Sequence, residues 1–195
     1  QKEEKIKEFD KLNRLEFAND IVEIINNLNN NISYSIGFNA KWGSGKTSLI
    51  CMIKEKVRYN KNFILIDFNP WFYRDYDSMI NGFFNLLEEK TNYIIPYNKL
   101  NKYQRLLESV EKSLLKTELI KILNSGNKDL IDLHSDISKS LKNLNKKIIV
   151  FIDDLDRIYP KEIIDTLRLI RLIADFPNII YLVSYDKEYL ENAII

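Results

Sequence analysis

One glycine-rich stretch constrains the fold of this chain more than any other feature. It occupies residues 43–47 and lies between an apolar, strand-like segment at 32–36 and an apolar stripe of helical spacing that starts at Leu49. A strand, a tight glycine turn and a helix in this order are typical of a loop whose backbone N–H groups surround a phosphate. The stretch therefore predicts an α/β fold organised around this loop.

The stretch matches the P-loop pattern of Gly, four free positions and Gly-Lys-Ser/Thr at all but one position. Gly45, Lys46 and Thr47 match, and Ala40 stands where the first Gly is expected. Ala40 is tolerable if its φ is negative, because that position starts the turn and does not touch phosphate. An ordinary glycine-rich turn is the alternative, and the flanking strand and helix patterns argue against it.

The polar positions of the loop have predicted roles in binding a nucleoside triphosphate. Lys46 is expected to reach the β- and γ-phosphates and to act in catalysis, while the Thr47 hydroxyl is expected to ligate Mg²⁺. ATP is favoured over GTP because the chain has no Asn-Lys-x-Asp guanine-reading motif. The predicted nucleotide-binding residues are Trp42, Gly43, Ser44, Gly45, Lys46, Thr47 and Ser48.

A continuous apolar strand at 148–152 ends in two carboxylates, Asp153 and Asp154. Buried parallel strands are this uniform, and carboxylates at such a strand end are typical of a Walker B motif. Asp153 is expected to hold Mg²⁺ through water, and Asp154 is expected to orient or activate the attacking water. Two carboxylates that only cap a loop are the structural alternative. Asp154 is also one methylene shorter than the Glu usual at this position, which weakens its case as a base.

Two further residues complete the predicted catalytic group. Ser184 follows the last apolar strand, where a polar sensor residue would face the γ-phosphate. Arg157 is expected to act near the nucleotide or to tie the Walker B loop to Asp156. Arg168 and Arg171 are weaker candidates for an arginine that reaches the γ-phosphate of a neighbouring subunit.

An aromatic run follows the strand at 63–68, which Pro70 closes because proline cannot donate to a strand ladder. The run consists of Trp71, Phe72 and Tyr73. It is predicted to pack in the core under the loops, and stacking on nucleic-acid bases is the alternative.

The segment at about 75–147 is the part least typical of a nucleotide-binding domain, and its apolar spacing predicts an inserted helical hairpin. From 97 to 147 it has eleven Lys and Arg residues against six acids, so nucleic acid is one candidate partner. Solvated helix faces are the alternative, because the acids are interleaved with the bases. His134 lacks metal-ligand partners at suitable spacing and is expected to pack in the hairpin or lie at its surface.

Composition sets limits on the class of protein. The 195 residues suffice for one domain whose core needs no disulfide, and the single Cys51 is expected to be a buried thiol on the helix after the loop. The net charge of +1 gives no overall attraction to nucleic acid or membranes. No apolar run approaches the ~18 residues of a membrane-spanning helix, and no signal peptide is evident. A cytoplasmic protein is expected.

Taken together, the motifs resemble the KAP family of P-loop NTPases. The resemblance rests on four stretches and a leader: Trp-Gly-Ser-Gly-Lys-Thr at 42–47, Phe-Asn-Pro-Trp at 68–71, Asp-Asp-Leu-Asp-Arg at 153–157, the run at 176–186, and Asp10, Leu12, Arg14, Phe17 and Ala18. It implies an intracellular ATPase that uses ATP and Mg²⁺, often bacterial and sometimes linked to phage or plasmid exclusion. Many members have membrane spans in the insertion, and this property does not carry over to the polar insertion found here.

The resemblance also implies a three-layer fold of the additional-strand class, with strands ordered fifth, first, fourth, third, second. The chain supplies four of these strands, at 32–36, 63–68, 148–152 and 179–183. We therefore expect the P-loop strand at the edge of a mostly parallel sheet, separated from the Walker B strand by the strand at 179–183. Either the N-terminal helices cover that edge, or the single domain at 1–195 is incomplete and the protein continues past Ile195 with the missing strand.

The leading functional prediction is a Mg²⁺-dependent ATPase whose hydrolysis changes an unknown protein partner or its own assembly. The alternative is a switch or scaffold that binds ATP with negligible hydrolysis, which Ala40 and Asp154 motivate. A small-molecule kinase ranks third, because the chain shows no evident acceptor pocket or Arg-rich lid.

Overall fold

Helices and strands alternate along the chain in a computed structural model that describes residues 10, 14–41, 43–92, 94–113, 128–173 and 175–194. Short 3-10 turns at Pro70–Phe72 and Leu155–Arg157 follow the second and third strands. The elements are α1 (Arg14–Asn27), β1 (Tyr34–Asn39), α2 (Lys46–Val57), β2 (Phe63–Asp67), α3 (Tyr76–Lys90), α4 (Tyr97–Ser113), α5 (Lys128–Asn143), β3 (Lys147–Ile152), α6 (Pro160–Ile173), β4 (Ile179–Tyr185) and α7 (Lys187–Ile194).

The four strands form one parallel sheet in the order β1-β4-β3-β2. This order confirms the predicted topology, since β4 separates the P-loop strand β1 from the Walker B strand β3. All four carboxyl ends lie at the same edge of a parallel sheet, which is where α/β proteins bind their ligands. The segments after β1, β3 and β4 therefore meet at that edge.

Helices cover both faces of the sheet and produce the predicted three layers. Along β3 the side chains alternate: Ile149 and Phe151 face α1 and α2, while Ile148 and Val150 face the core shared by α3, α4, α5 and α6. This alternation follows from the two-residue period of a strand. Both faces of β3 are buried, which is why its sequence is uniformly apolar.

Helix α1 is held at both ends. The Asp10 carboxylate accepts the backbone N–H groups of Arg14 and Leu15, at 2.8 and 2.7 Å, and so caps the first turn. The Lys147 ammonium donates to the carbonyls of Ile25 and Asn26 at the last turn, at 2.8 and 2.6 Å. These caps fix the helix and thereby the position of the Arg14 side chain.

The edge strand β1 has one hydrogen-bonded neighbour, β4, within the described part of the chain. On one face, Phe38 is buried and meets Phe17 of α1 edge to face, with ring centroids 6.5 Å apart. On the other face, Ser35, Gly37 and Asn39 are exposed. Helix α1 thus covers a face of β1 and leaves its other face open.

The insertion is helical as predicted, within the residues that can be described. Lys99 Nζ lies 2.6 Å from Asp136 Oδ2, and Lys102 Nζ lies 3.2 Å from Asp129 Oδ2. Because the partner number falls as the lysine number rises, α4 and α5 run antiparallel. Residues 114–127, also assigned to this hairpin, lie outside the described residues. The described helices include none that is long and apolar enough to cross a membrane.

His134 packs in the hairpin, which is one of the two predicted placements; the other was at the hairpin surface. Its ring stacks on Phe176 with centroids 4.7 Å apart, and Tyr103 lies on the same cluster. Burial lowers the pKa of His134, so its neutral form is favoured in this apolar setting.

The strand boundaries differ from the sequence prediction by two or three residues at β1 and β4 and by one residue at β2 and β3. Strand β1 begins at Tyr34 and extends to Asn39, because its backbone stays paired with β4 as far as Tyr185, while Ile32 is exposed in the preceding turn. Strand β4 also extends to Tyr185, so Ser184 lies within this strand and does not follow it.

Two predictions of burial are wrong. Trp71 and Phe72 are 55% and 67% exposed and stack on each other with ring centroids 4.2 Å apart, and Pro70 is the buried residue of the turn Pro70–Phe72 that carries them. Of the aromatic run, Tyr73 packs against the core, stacked on Phe68. Cys51 is exposed, because the buried stripe of α2 lies at Leu49, Ile50, Ile53 and Val57.

Candidate nucleotide-binding site

The loop between β1 and α2 has the backbone of a phosphate cradle. Gly43 and Gly45 have φ values of 73° and 85°, in the left-handed region that glycine adopts without strain. Gly45 is the N-cap of α2 and offers no side-chain acceptor to the first-turn N–H groups. These donors and the positive end of the helix are therefore available to an anion. Trp42 of the predicted set lies outside the described residues.

Ala40 fits the place of the first P-loop glycine. It does not have a positive φ, so no glycine is required there. Its N–H donates to the Tyr185 carbonyl at 3.1 Å, which anchors the loop to β4. Its own carbonyl accepts the Lys46 ammonium at 2.9 Å. The single departure from the motif is thus compatible with the loop geometry.

Lys46 is buried and lies between the loop and the end of β3. Its Nζ is 3.0 Å from Asp156 Oδ2, in a pair whose side chains are 8% and 3% exposed. One of the two roles predicted for Arg157 was a contact with Asp156, whereas in the structure Asp156 pairs with Lys46. The loop lysine is therefore held by a carboxylate from the turn that follows the Walker B strand.

Among the described residues of this site, two buried polar atoms lack a hydrogen-bond partner: the Ser44 hydroxyl oxygen and Asp156 Oδ1. Leaving such an atom unsatisfied costs about 1–3 kcal/mol, and native proteins usually satisfy it. A phosphate oxygen would accept the Ser44 hydroxyl, so the orphaned donor fits a bound nucleotide.

The carboxylates after β3 and the serine of β4 meet because their strands are neighbours in the sheet. Asp153 Oδ1 accepts the Ser184 hydroxyl and the Asp154 N–H, the latter at 2.9 Å. Asp154 has a φ of 61°, also in the left-handed region, and its Oδ1 lies 2.8 Å from Arg157 Nε. The predicted residues Asp153, Asp154, Arg157 and Ser184 thus form one connected polar group.

Burial raises the pKa of Asp154, and the nearby Asp153 charge raises it further against the opposing effect of Arg157. A carboxyl with a raised pKa is a stronger base when ionised. The electrostatic setting of Asp154 is therefore that expected of a group that accepts a proton.

The oxygen groups at the site suit Mg²⁺ that arrives with a nucleotide. Thr47 is exposed on the first turn of α2, and Asp153 is half-buried at the end of β3. In the described part of the chain, no group of three or more His, Cys, Asp or Glu side chains could hold a metal ion by itself. Mg²⁺ commonly keeps several waters and takes other ligands from substrate phosphates, so this sparse set fits it.

Arg14 is a site residue that sequence reasoning missed, although it was noted as part of the leader. Its guanidinium donates to the Ser44 carbonyl, and its Nη1 would lie 2.7 Å from a Cβ built on Gly45. Since the C=O and N–H of a trans peptide point in opposite directions, this contact turns the Gly45 N–H away from Arg14. No sequence spacing connects Arg14 to a loop thirty residues later.

The two weaker arginine candidates lie on α6. Arg168 Nη1 is 3.2 Å from Asp165 Oδ1, one turn back on the same helix, and Arg171 is exposed. The pairing holds the Arg168 side chain along its own helix.

The chain is similar to a curated protein and to a solved structure. The Phage T7 exclusion protein of Escherichia coli strain K12 is 24% identical over 198 residues, in a match that covers 82% of this chain and 26% of that protein. The chain thus spans about a quarter of the length of this curated relative. A solved structure of the Aeropyrum pernix ORC2 protein, in ADPNP–ADP complexes, matches with a TM-score of 0.46 and 15% identity, covering 94% of this chain and 44% of that one.

The match that establishes the family covers most of the sequence. A family model described as the KAP family P-loop domain matches residues 14–195. This range includes the glycine loop, the carboxylates after β3 and Ser184. The chain therefore belongs to the KAP family of P-loop NTPases.

Proposed function

We propose that this chain is a Mg²⁺-dependent ATPase. The observation that carries the proposal is the position of Lys46, which is buried between an uncapped helix N-terminus and the carboxylate turn after β3. A lysine so placed can neutralise the terminal phosphates of a nucleotide bound in the glycine loop. Membership of a family of P-loop NTPases supports nucleotide binding in general.

In the proposed complex, the N–H groups of the loop and of the first turn of α2 bind the phosphates. Thr47 and Asp153 would hold Mg²⁺, Asp153 through water, and the metal would neutralise charge on the phosphates. Ser184, whose hydroxyl donates to Asp153, would detect the terminal phosphate through this contact.

Asp154 is proposed as the group that activates water. It would accept a proton from the water whose oxygen attacks the γ-phosphorus, and the bond from that phosphorus to the bridging oxygen of ADP would break. Arg157, paired with Asp154 at 2.8 Å, would orient the carboxylate.

A second proposal is an ATP-dependent switch with negligible hydrolysis. The same Arg157–Asp154 pair favours it, because the arginine occupies one oxygen of the proposed base. Single-turnover assays with protein in excess over radiolabelled ATP separate the two functions. An ATPase converts the bound ATP to ADP and phosphate in the presence of Mg²⁺ and stops when the metal is chelated. A switch retains intact ATP at the same occupancy.

The purpose of hydrolysis is proposed to be a change in a protein partner or in self-association within the cytoplasm. The name of the E. coli relative motivates a role in phage exclusion. A nucleic-acid partner for the insertion is less favoured, because Lys99, Lys102 and Lys139 are paired with Asp129 or Asp136. Binding to DNA or RNA that weakens steeply with added salt would restore that alternative.

Replacing Arg14 with Ala is expected to weaken ATP binding about tenfold, because the Ser44–Gly45 peptide loses the donor that orients it. Titration calorimetry with Mg·ATP measures the change. Arg14→Lys retains a donor and should recover part of the affinity. Equal affinities for the parent and Arg14→Ala would show that the loop needs no such support.

A further inference from the structure

The ion pair between Lys46 and Asp156 joins two residues that are 110 positions apart in sequence. Lys46 is central to the proposed function, whereas Asp156 has no role in it so far. Both side chains are almost fully buried, and Asp156 uses only Oδ2 in the pair while Oδ1 lacks a hydrogen-bond partner. The pair is therefore not an ordinary solvent-exposed ion pair of the protein surface.

The donors of Lys46 are largely committed in this arrangement. An ammonium group has three N–H donors. One is given to the Ala40 carbonyl at 2.9 Å and one to Asp156 Oδ2 at 3.0 Å, which leaves one for a ligand. The negative charge of Asp156 also opposes a phosphate that approaches the same ammonium, with little solvent to screen it. Asp156 and a terminal phosphate would thus compete for the same positive group, the Lys46 ammonium.

We propose that Asp156 competes with the terminal phosphate of the nucleotide for Lys46. In the nucleotide-free chain Asp156 holds Lys46, and ATP binding transfers the ammonium from the carboxylate to the phosphate. The inference rests on the proposed function and adds to it a residue that sets nucleotide affinity.

The position of Asp156 would couple this transfer to the catalytic turn. Asp156 lies in the 3-10 turn Leu155–Arg157, which starts directly after Asp154. In this turn the Arg157 N–H donates to the Asp154 carbonyl at 3.0 Å. Release of Asp156 by Lys46 removes one of the contacts that hold the turn. Nucleotide binding would therefore change the conformational freedom of the turn next to the proposed base, Asp154.

The test compares Mg·ATP affinity in the parent and in variants of Asp156. Asp156→Asn removes the charge with almost no change in shape and is expected to bind Mg·ATP about tenfold to a hundredfold more tightly. Asp156→Ser is a second neutral variant with a smaller side chain, and Asp156→Glu keeps the charge and should show no gain. Asp165→Asn is the matched control, because it also neutralises a buried acid, and the cation paired with that acid is Arg168 and not Lys46.

The outcomes separate this inference from the proposed function. Tighter binding by both neutral variants, with parent affinity in Asp165→Asn, supports the competition. If the parent binds ATP and folded Asp156→Asn and Asp156→Ser bind it with equal or lower affinity, the competition alone is overturned. Absence of ATP binding in the parent and in the Asp156 variants overturns the proposed function and the competition with it. Circular dichroism at the assay temperature verifies that each variant is folded.

Discussion

Asp154→Asn is expected to lower the rate constant of ATP hydrolysis by about 10²–10⁴-fold and to leave ATP affinity within about threefold of the parent. The amide cannot accept the proton of the attacking water, whereas the loop and Lys46 that are proposed to bind phosphate are untouched. Asn also adopts the left-handed backbone of this position readily, so the turn is preserved. Single-turnover hydrolysis and calorimetry on the same preparation measure the two effects.

The pH dependence gives an independent check on the same group. Because the pKa of Asp154 is raised above its ordinary value of 3.8, the single-turnover rate should rise with pH through a window above 3.8. The raised pKa also means that the folded chain binds this proton more tightly than the unfolded chain. The folded chain therefore loses stability as pH rises through that window, and Asp154→Asn should raise the melting temperature at pH 7. If Asp154→Asn hydrolysed ATP with a rate constant within tenfold of the parent, Asp154 would be excluded as the base.

Lys46→Met is expected to lower ATP affinity by about a hundredfold or more, so that binding is no longer measurable. It should also destabilise the nucleotide-free chain by about 3–5 kcal/mol. The first effect follows from loss of the charge that is proposed to neutralise the phosphates. The second follows because Asp156 would remain buried without its partner. Methionine keeps most of the apolar stem, so the comparison isolates the charge. Calorimetry and urea unfolding measure the two quantities.

A double variant tests whether the effects of the Lys46 and Asp156 substitutions are coupled. Lys46→Met with Asp156→Asn leaves no unpaired charge, so we expect it to recover much of the lost stability and none of the lost ATP affinity. Stability losses that simply add in the double variant would show that the two residues do not form the pair in solution.

The part of the fold that could be predicted depends on patterns that are local in sequence. Each apolar strand ends in a turn or polar residue, and neighbouring strands of a parallel sheet end at the same edge. Asp153 was predicted to hold Mg²⁺ through water and Ser184 to face the γ-phosphate, both from strand ends, and a hydroxyl–carboxylate contact between the two is found. The strand order followed from the family resemblance and not from the strand sequences, since all four are compatible with several positions in a sheet.

The contacts that could not be predicted depend on side chains that meet only after the chain has folded. The Lys46–Asp156 pair and the contact of Arg14 with Ser44 have no characteristic spacing. Hydrophobicity was also an incomplete guide to burial, as Trp71 and Phe72 show. Their apolar character is typical of a core, yet within the turn that carries them Pro70 is buried and both rings lie at the surface.

The left-handed backbone at Asp154 has an evolutionary consequence. Every non-glycine residue with a positive φ in the described chain is Asn or Asp: Asn92, Asn145, Asp154 and Asn178. These two residues tolerate that conformation best, and their codons differ at a single base. A chain of this kind can thus exchange its proposed base for an inert amide in one mutation, with no backbone strain to select against the change. An ATPase and an ATP-bound switch would then be adjacent in sequence space, joined by a step that folding does not oppose.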